Sequence, residues 1–148
     1  MDKLRHRDAF GVGVMTPRGQ DFTGFGKTRQ IVLVTFKRSG EAVPSPINYG
    51  VADGKLYART DASSGKVKRL RNNPRVVVVP SSLRGKPKGQ VVTGIARILS
   101  ESEHAHADKV IAANWSKPMK ALERGLEKSS DVFGIPMAYI EIAPAPQP

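Results

Sequence analysis

The chain has 148 residues, 39% of them hydrophobic and 25% charged, which is enough apolar material for one packed core and excludes a wholly disordered chain. Lys and Arg total 24 against 13 Asp and Glu, a formal net charge of +11 at pH 7, so the partners to expect are anionic: nucleic acid, an acidic membrane surface or a phosphorylated small molecule. Because there is no cysteine, disulfides, thiolate metal sites and cysteine nucleophiles are excluded.

Residues 1–28 are rich in glycine and charge, have no sustained helical or strand period, and predict an irregular arm. The first residues lack the apolar core of a signal peptide, and no run approaches the ~18 apolar residues of a membrane helix; a cytoplasmic protein with no membrane partner is expected. The β-branched run from Gln30 to Phe36 predicts a buried strand. After a turn at Ser39-Gly40-Glu41, a second strand spans Val43 to Val51. Pro44 and Pro46 within it cannot donate ladder hydrogen bonds and mark an edge, a bulge or a ligand-facing stretch. Ala52-Asp53-Gly54 predicts a hairpin turn, since Asp-Gly readily takes the positive φ that tight hairpins need, and a third strand runs from Lys55 to Thr60.

Val67 and Leu70, three apart among basic residues, predict a short helix from Lys66 to Asn72 that ends before Pro74. Val76 to Val79 reads as a buried strand, Ser81 to Gly89 as a basic loop, and Gln90 to Ser100 as a strand in which Gly94 marks a bulge or a close backbone approach. Ile111, Trp115, Met119, Leu122 and Leu126 fall on one helical face within Glu101 to Lys128, divided at Pro118 with Ser116 as the N-cap of the second piece. Trp115 is read as a core or interface anchor. A last strand covers Met137 to Ile142. The order implies a mainly β (α+β) fold, a barrel of antiparallel strands with flanking helices. The expected organisation is an arm at 1–28, the barrel domain at 29–143 and a disordered tail at 144–148.

Between Arg59 and Arg97 stand ten basic residues and one acid, Asp61. Within that stretch, Arg59 to Lys66 leaves a strand and enters a helix, so free N–H groups, hydroxyls and a lysine converge as a phosphate cradle. Lys66 and Arg69 lie on one helix face and Lys68 is turned aside. An ordinary capped helix with a solvated basic face explains the same spacing. Gly24-Phe25-Gly26-Lys27-Thr28 resembles a nucleotide-binding P-loop only superficially, since Asp21 stands where its first glycine belongs and a strand follows. His104 and His106, with Glu103 and Asp108, do not share a helix face, which favours a solvated helix start over a metal site. Tyr57 alone interleaves the basic stretch as an aromatic, which weighs against nucleic acid.

Ser64 to Val76 (SGKVKRLRNNPRV) resembles the signature of the pyridoxamine-phosphate-oxidase-like split-barrel proteins, in particular their deazaflavin-dependent (coenzyme F-420) oxidoreductase branch. Val32 to Phe36, Val43 to Pro46, Asp53 to Tyr57, Arg84 to Gly89 and Gly94 to Arg97 extend the resemblance over roughly residues 30 to 100. It implies a homodimer of six-stranded antiparallel split β-barrels, with cofactor sites at the subunit interface. Thr60 and Lys66 match positions that hold the cofactor phosphate, and Ser64 lies in the same turn. Ser45, Pro46, Ile47 and Asn48 match the backbone stretch along the tricyclic ring, and Gln90 a position near it. Many flavin-mononucleotide (FMN) members carry Arg where this chain has Gly65, and the Arg84 to Gly89 loop is closer to the deazaflavin branch, its cations expected to meet an oligoglutamate tail.

The function these features imply is an F-420-dependent oxidoreductase that passes a hydride between the deazaflavin and a small unsaturated or conjugated substrate. The cofactor carries that chemistry, so no catalytic triad is expected. An FMN-dependent enzyme of the same fold, and a non-catalytic protein that binds a cofactor or nucleic acid, are the alternatives.

Overall fold

Asp53 and Gly54 take positive φ, 54° and 75°, the two-residue turn whose twist matches that of paired strands. They join β2 (Ala42–Ala52) to β3 (Lys55–Asp61) in a computed structural model that describes residues 21–82, 88–114 and 136–146. The other elements among these residues are β1 (Gln30–Phe36), α1 (Gly65–Asn72), β4 (Arg75–Ser81), β5 (Val92–Ile98), α2 (His104–Ala113) and β6 (Met137–Pro144). The six strands form a closed, antiparallel barrel in the order β1-β2-β3-β6-β5-β4. Residues 1–20, the loop at 83–87, and the expected second helical piece with Trp115, Ser116 and Pro118 lie outside the described residues.

Side chains alternate across each strand, so one set fills the barrel. Ile31, Leu33, Ile47, Tyr49, Leu56, Ala58, Val76, Val78, Val92, Ala96, Ile140 and Ile142 form this interior, and Leu70 of α1 closes against it. Burial of each large aliphatic side chain contributes about 1.5–3 kcal/mol, which makes this cluster the main source of stability. The continuous apolar runs of β1 and β4 are buried on both faces: Val32, Val34, Val77 and Val79 form a second cluster outside the barrel with Val91. Val110 and Ile111 of α2 pack with Tyr57 and Tyr139 in a third.

Register explains where the barrel opens. β2 pairs with β1 from Ala42 to Asn48 but with β3 only from Tyr49 to Ala52. Pro44 and Pro46 stand opposite Val34 and Val32 without interrupting the β1 ladder. Their missing N–H groups therefore sit on the other edge of β2, where β3 would otherwise pair. The two prolines thus stand where β2 is split between its neighbours, at an edge unpaired with β3.

The lead-in to β1 is tied into the barrel end. Phe22 is buried, and rings stack edge to face from Phe22 through Phe25 to Tyr49. The Tyr49 hydroxyl accepts the Gly26 N–H at 2.6 Å and bonds the Thr28 hydroxyl at 3.1 Å. Gly24–Thr28 lead into β1 rather than a helix. At the other end β6 runs two residues past its expected limit, because Pro144 pairs with Gly94 and the Ala145 N–H reaches Thr93 O at 2.9 Å. Gly94 is a close approach, since a Cβ there would lie 2.6 Å from Ile142 Cγ2. Among the described residues, no helix is long and apolar enough to cross a membrane.

α2 docks on the outer face of β2 at Gly50, where a Cβ would collide with the Val110 carbonyl. Asn114, the C-cap of α2, donates to Thr28 O and Tyr49 O, both at 2.9 Å. The start of this segment is a capping box: the Glu103 carboxylate accepts from Ser100 N–H and, through two nitrogens at 3.0 and 2.8 Å, from Arg97.

Two outcomes follow. Gly50→Ala is expected to cost about 1–3 kcal/mol by overpacking against helix backbone, read as a lower thermal midpoint with α2 displaced. The Arg97 guanidinium, followed by the Ser100 N–H and hydroxyl, holds the Glu103 carboxyl at a pKa of about 2, below its ordinary 4.5. A depressed carboxyl contributes stability above its unfolded pKa and loses it as pH falls through the folded one. The stability difference between wild type and Glu103→Gln should therefore be full near neutral pH and shrink from about pH 4.5 towards 2 in denaturation curves.

Candidate functional site

The split in β2 leaves a cleft of ≈ 260 Å³ lined by Gln30, Pro46, Ile47, Asn48, Arg59, Thr60, Lys66 and Ile111. Its floor is the stretch of β2 that pairs only with β1. One wall is the end of β3 and the first turn of α1, the other α2 through Ile111.

The first turn of α1 follows from the Asp61 to Ser64 sequence. The Asp61 carboxylate accepts the Ser63 N–H at 2.8 Å and the Ser63 hydroxyl at 2.7 Å, and the Ser64 N–H returns to Asp61 O at 3.0 Å. These bonds, led by the Ser63 N–H, hold the exposed Asp61 carboxyl below its ordinary pKa. Ser64 is the N-cap in extended conformation, yet its side chain makes no cap bond. Its Oγ is buried without a hydrogen-bond partner among the described residues. A serine that does not cap its own helix keeps that hydroxyl for another acceptor. The first N–H groups of an α-helix lack intrahelical acceptors, and here they open beside Lys66.

Of the residues expected from the sequence, Pro46, Ile47, Asn48, Thr60 and Lys66 come together in the cleft. Thr60 is buried opposite Ala138 of β6. Ser45 is buried opposite Leu33, on the face turned into the barrel, so it contributes backbone rather than side chain to this strand's edge. Arg69 folds back along α1: its Nε donates to the buried Thr35 hydroxyl at 2.6 Å, and its guanidinium lies over Gly65, 2.7 Å from where a Cβ would stand. Neither Arg69 nor Ser64 lines the cleft. Gln90 is exposed just before β5 and outside the lining.

Gln30, Arg59 and Ile111 line the cleft without having been expected there. Gln30 Nε2 donates to Asn48 Oδ1 at 3.2 Å, while its Oε1 is buried without a partner among the described residues. Arg59 reaches Asp108 of α2 at 3.4 Å, and the Tyr139 hydroxyl donates to the other oxygen of that carboxylate at 2.9 Å. Burial first, then this bond to Asp108, raises the Tyr139 pKa above its ordinary value. The strand register that pairs Gln30 with Asn48 was the available signal for the first of these. His104 and His106 stack instead on Tyr139 and Tyr57, and among the described residues no His, Asp or Glu group is arranged to hold a metal.

The lining thus combines two cations, three polar uncharged side chains and apolar walls, with no carboxylate among them. Lys66, Arg59 and the Thr60 hydroxyl are donors suited to an anionic group, while the buried, unpartnered Gln30 Oε1 is an acceptor suited to a donor on the same molecule.

No family model matches the chain, and no curated protein matches it. Solved structures do. A FAD-binding protein of Mesorhizobium loti is 22% identical, with 80% of each chain covered and a TM-score of 0.54. A Listeria innocua protein whose proposed identity is pyridoxamine 5'-phosphate oxidase is 18% identical over 80% of this chain and 85% of its own, at 0.51. A heme storage protein of Vibrio cholerae, 13% identical over 80% of this chain and 83% of its own, superposes at 0.57. At these identities the similarity is one of fold, and the three names span different ligands, so the ligand has to be argued from the cleft itself.

Proposed function

We propose that the chain is an oxidoreductase that holds a phosphate-bearing, flavin-type cofactor in the β2 cleft, the deazaflavin coenzyme F-420, and passes a hydride between it and a small unsaturated or conjugated molecule. The observation that carries this reading is the convergence, at the split in β2, of Thr60 from the end of β3, Lys66 from the first turn of α1 and the Pro46–Asn48 strand.

In this reading the phosphate lies against the first turn of α1, a helix N-terminus that favours anions. Lys66 supplies charge and the Thr60 hydroxyl donates, while Ser64, outside the lining, is the N-cap of the same turn. The Ser45 to Asn48 backbone supports one face of the ring, and Ile111 of α2 keeps water from it, which strengthens the polar contacts inside. The cofactor, when bound, supplies the hydride-carrying ring carbon; the protein supplies orientation. The working form is a homodimer.

FMN is the second reading. It ranks below because Arg69 occupies the space beside Gly65, where FMN relatives of the resembling family carry an arginine. A side chain at 65 would have to displace the Arg69 guanidinium from its place.

Side-by-side titration with coenzyme F-420 and FMN tests the assignment. Tighter binding of the deazaflavin is expected, weakened about tenfold or more by Lys66→Ala, the loss of one charge-assisted contact. Tighter binding of FMN would move the assignment to the second reading, and binding of neither would overturn the cofactor site. In sedimentation, the protein should run at twice the mass of the chain; a monomer that binds cofactor at full stoichiometry would contradict the dimer.

A further inference from the structure

The cleft lining holds an acceptor as well as donors. Gln30 opens β1, and alternation with the inward Ile31 puts its side chain on the outer face of the barrel. Its register partners are Asn48 of β2 on one side and Ser81 of β4 on the other, and residues directly opposite in antiparallel pairs have their side chains in reach on one face. The Gln30 carboxamide uses one end only: Nε2 donates to Asn48 Oδ1 at 3.2 Å, while Oε1 is buried with no partner among the described residues. Ser81 does not close this gap, since its own hydroxyl oxygen, on a residue 1% exposed, is buried and unpartnered as well. A buried acceptor without a donor is costly, and native structures leave few of them. Because Gln30 lines the cleft, the donor that its neighbours do not supply can come from a molecule that enters there. The terminal torsion of glutamine is broad, which lets the carboxamide tilt to meet it.

We propose that Gln30 is a specificity-determining residue of the cleft, held by Asn48 so that Oε1 accepts a hydrogen bond from a neutral ring N–H, and that the occupant is a cyclic amide or imide as well as an anion. The inference rests on the reading given above, in which a flavin-type ring lies along β2; coenzyme F-420 and FMN both carry such an imide N–H. The donor is neutral because Lys66 belongs to the same lining, where like charge disfavours a cationic group. A carboxamide oxygen accepts and does not donate. A ring nitrogen that is methylated therefore leaves Oε1 unpaired, and a site built around a buried polar group rejects an analogue that cannot bond it. The Asn48 side chain is a positioning group: it sets which way the Gln30 carboxamide points, whereas Thr60 and Lys66 act on the anionic end.

Calorimetric titration of the full chain with coenzyme F-420 and its N3-methyl derivative, and in parallel with FMN and N3-methyl-FMN, tests this whichever cofactor the cleft prefers. For the tighter of the two cofactors, methylation should weaken binding to wild type about tenfold or more, the cost of a buried acceptor left unpaired. Gln30→Met keeps the length of the side chain and loses Oε1. It should weaken the unmethylated cofactor and bring the ratio within about threefold of one, a change that steric exclusion of the methyl group alone would not produce. Asn48→Leu, which releases the carboxamide, should lower the ratio, and Asn48→Asp, which keeps an acceptor for Nε2, should retain it. Should Gln30→Met fail to fold, by circular dichroism, the two Asn48 variants carry the test. A ratio near one in wild type, or one unchanged in Gln30→Met, or in Asn48→Leu where Gln30→Met does not fold, overturns the Gln30 contact, while binding of the unmethylated cofactor leaves the reading beneath it standing. Failure of wild type to bind either cofactor overturns both.

Discussion

The site depends on one covalent constraint, the lack of an N–H on Pro44 and Pro46. A strand in a barrel normally bonds to both neighbours along its length, because a buried unpaired backbone group is costly. β2 keeps its full ladder with β1 and gives up β3 over Ala42 to Asn48, where two of its possible donors do not exist. What remains is a strand edge inside a folded protein, facing the end of β3 and the start of α1. That edge is not left open to aggregation, as an exposed sheet edge would be, because α1 and α2 flank it.

The rest of the fold holds that opening in place. Gly50 lets α2 approach β2 to backbone contact, and Asn114 binds the end of α2 to both β2 and the lead-in. Arg69 ties α1 to β1 through Thr35. Glu141 gathers Lys55, Tyr57 and Arg97 across β3, β6 and β5. The charged groups of the protein therefore divide into two kinds. Arg97, Glu103 and Glu141 pair with one another away from the lining, whereas Arg59, paired with Asp108 of α2, and Lys66 are among the described residues that line the cleft.

Most strands were legible because their signals are local. The valine runs, the Asp53-Gly54 turn and the Val67–Leu70 spacing each fix an element within a few residues, and Pro44 and Pro46 mark by chemistry alone the strand that is split between its neighbours. Thr60 and Lys66 were legible as a group for the same reason: they are close in sequence, and the structure brings both into the cleft lining. Gln30, Arg59 and Ile111 were not, since their place in the cleft depends on strand register and on the docking of α2. Arg69 shows the opposite limit. Helix periodicity placed it on one face with Lys66, towards the cleft, but its side chain turns to Thr35, 34 residues away, and no local pattern announces that acceptor.

A crystal structure grown with saturating coenzyme F-420 tests the central claim most directly. The account predicts the ring along the Ser45 to Asn48 edge of β2, with its phosphate in hydrogen-bond reach of Thr60, Lys66 and the first N–H groups of α1. Cofactor bound elsewhere, or a β2 edge left empty at saturation, would contradict it.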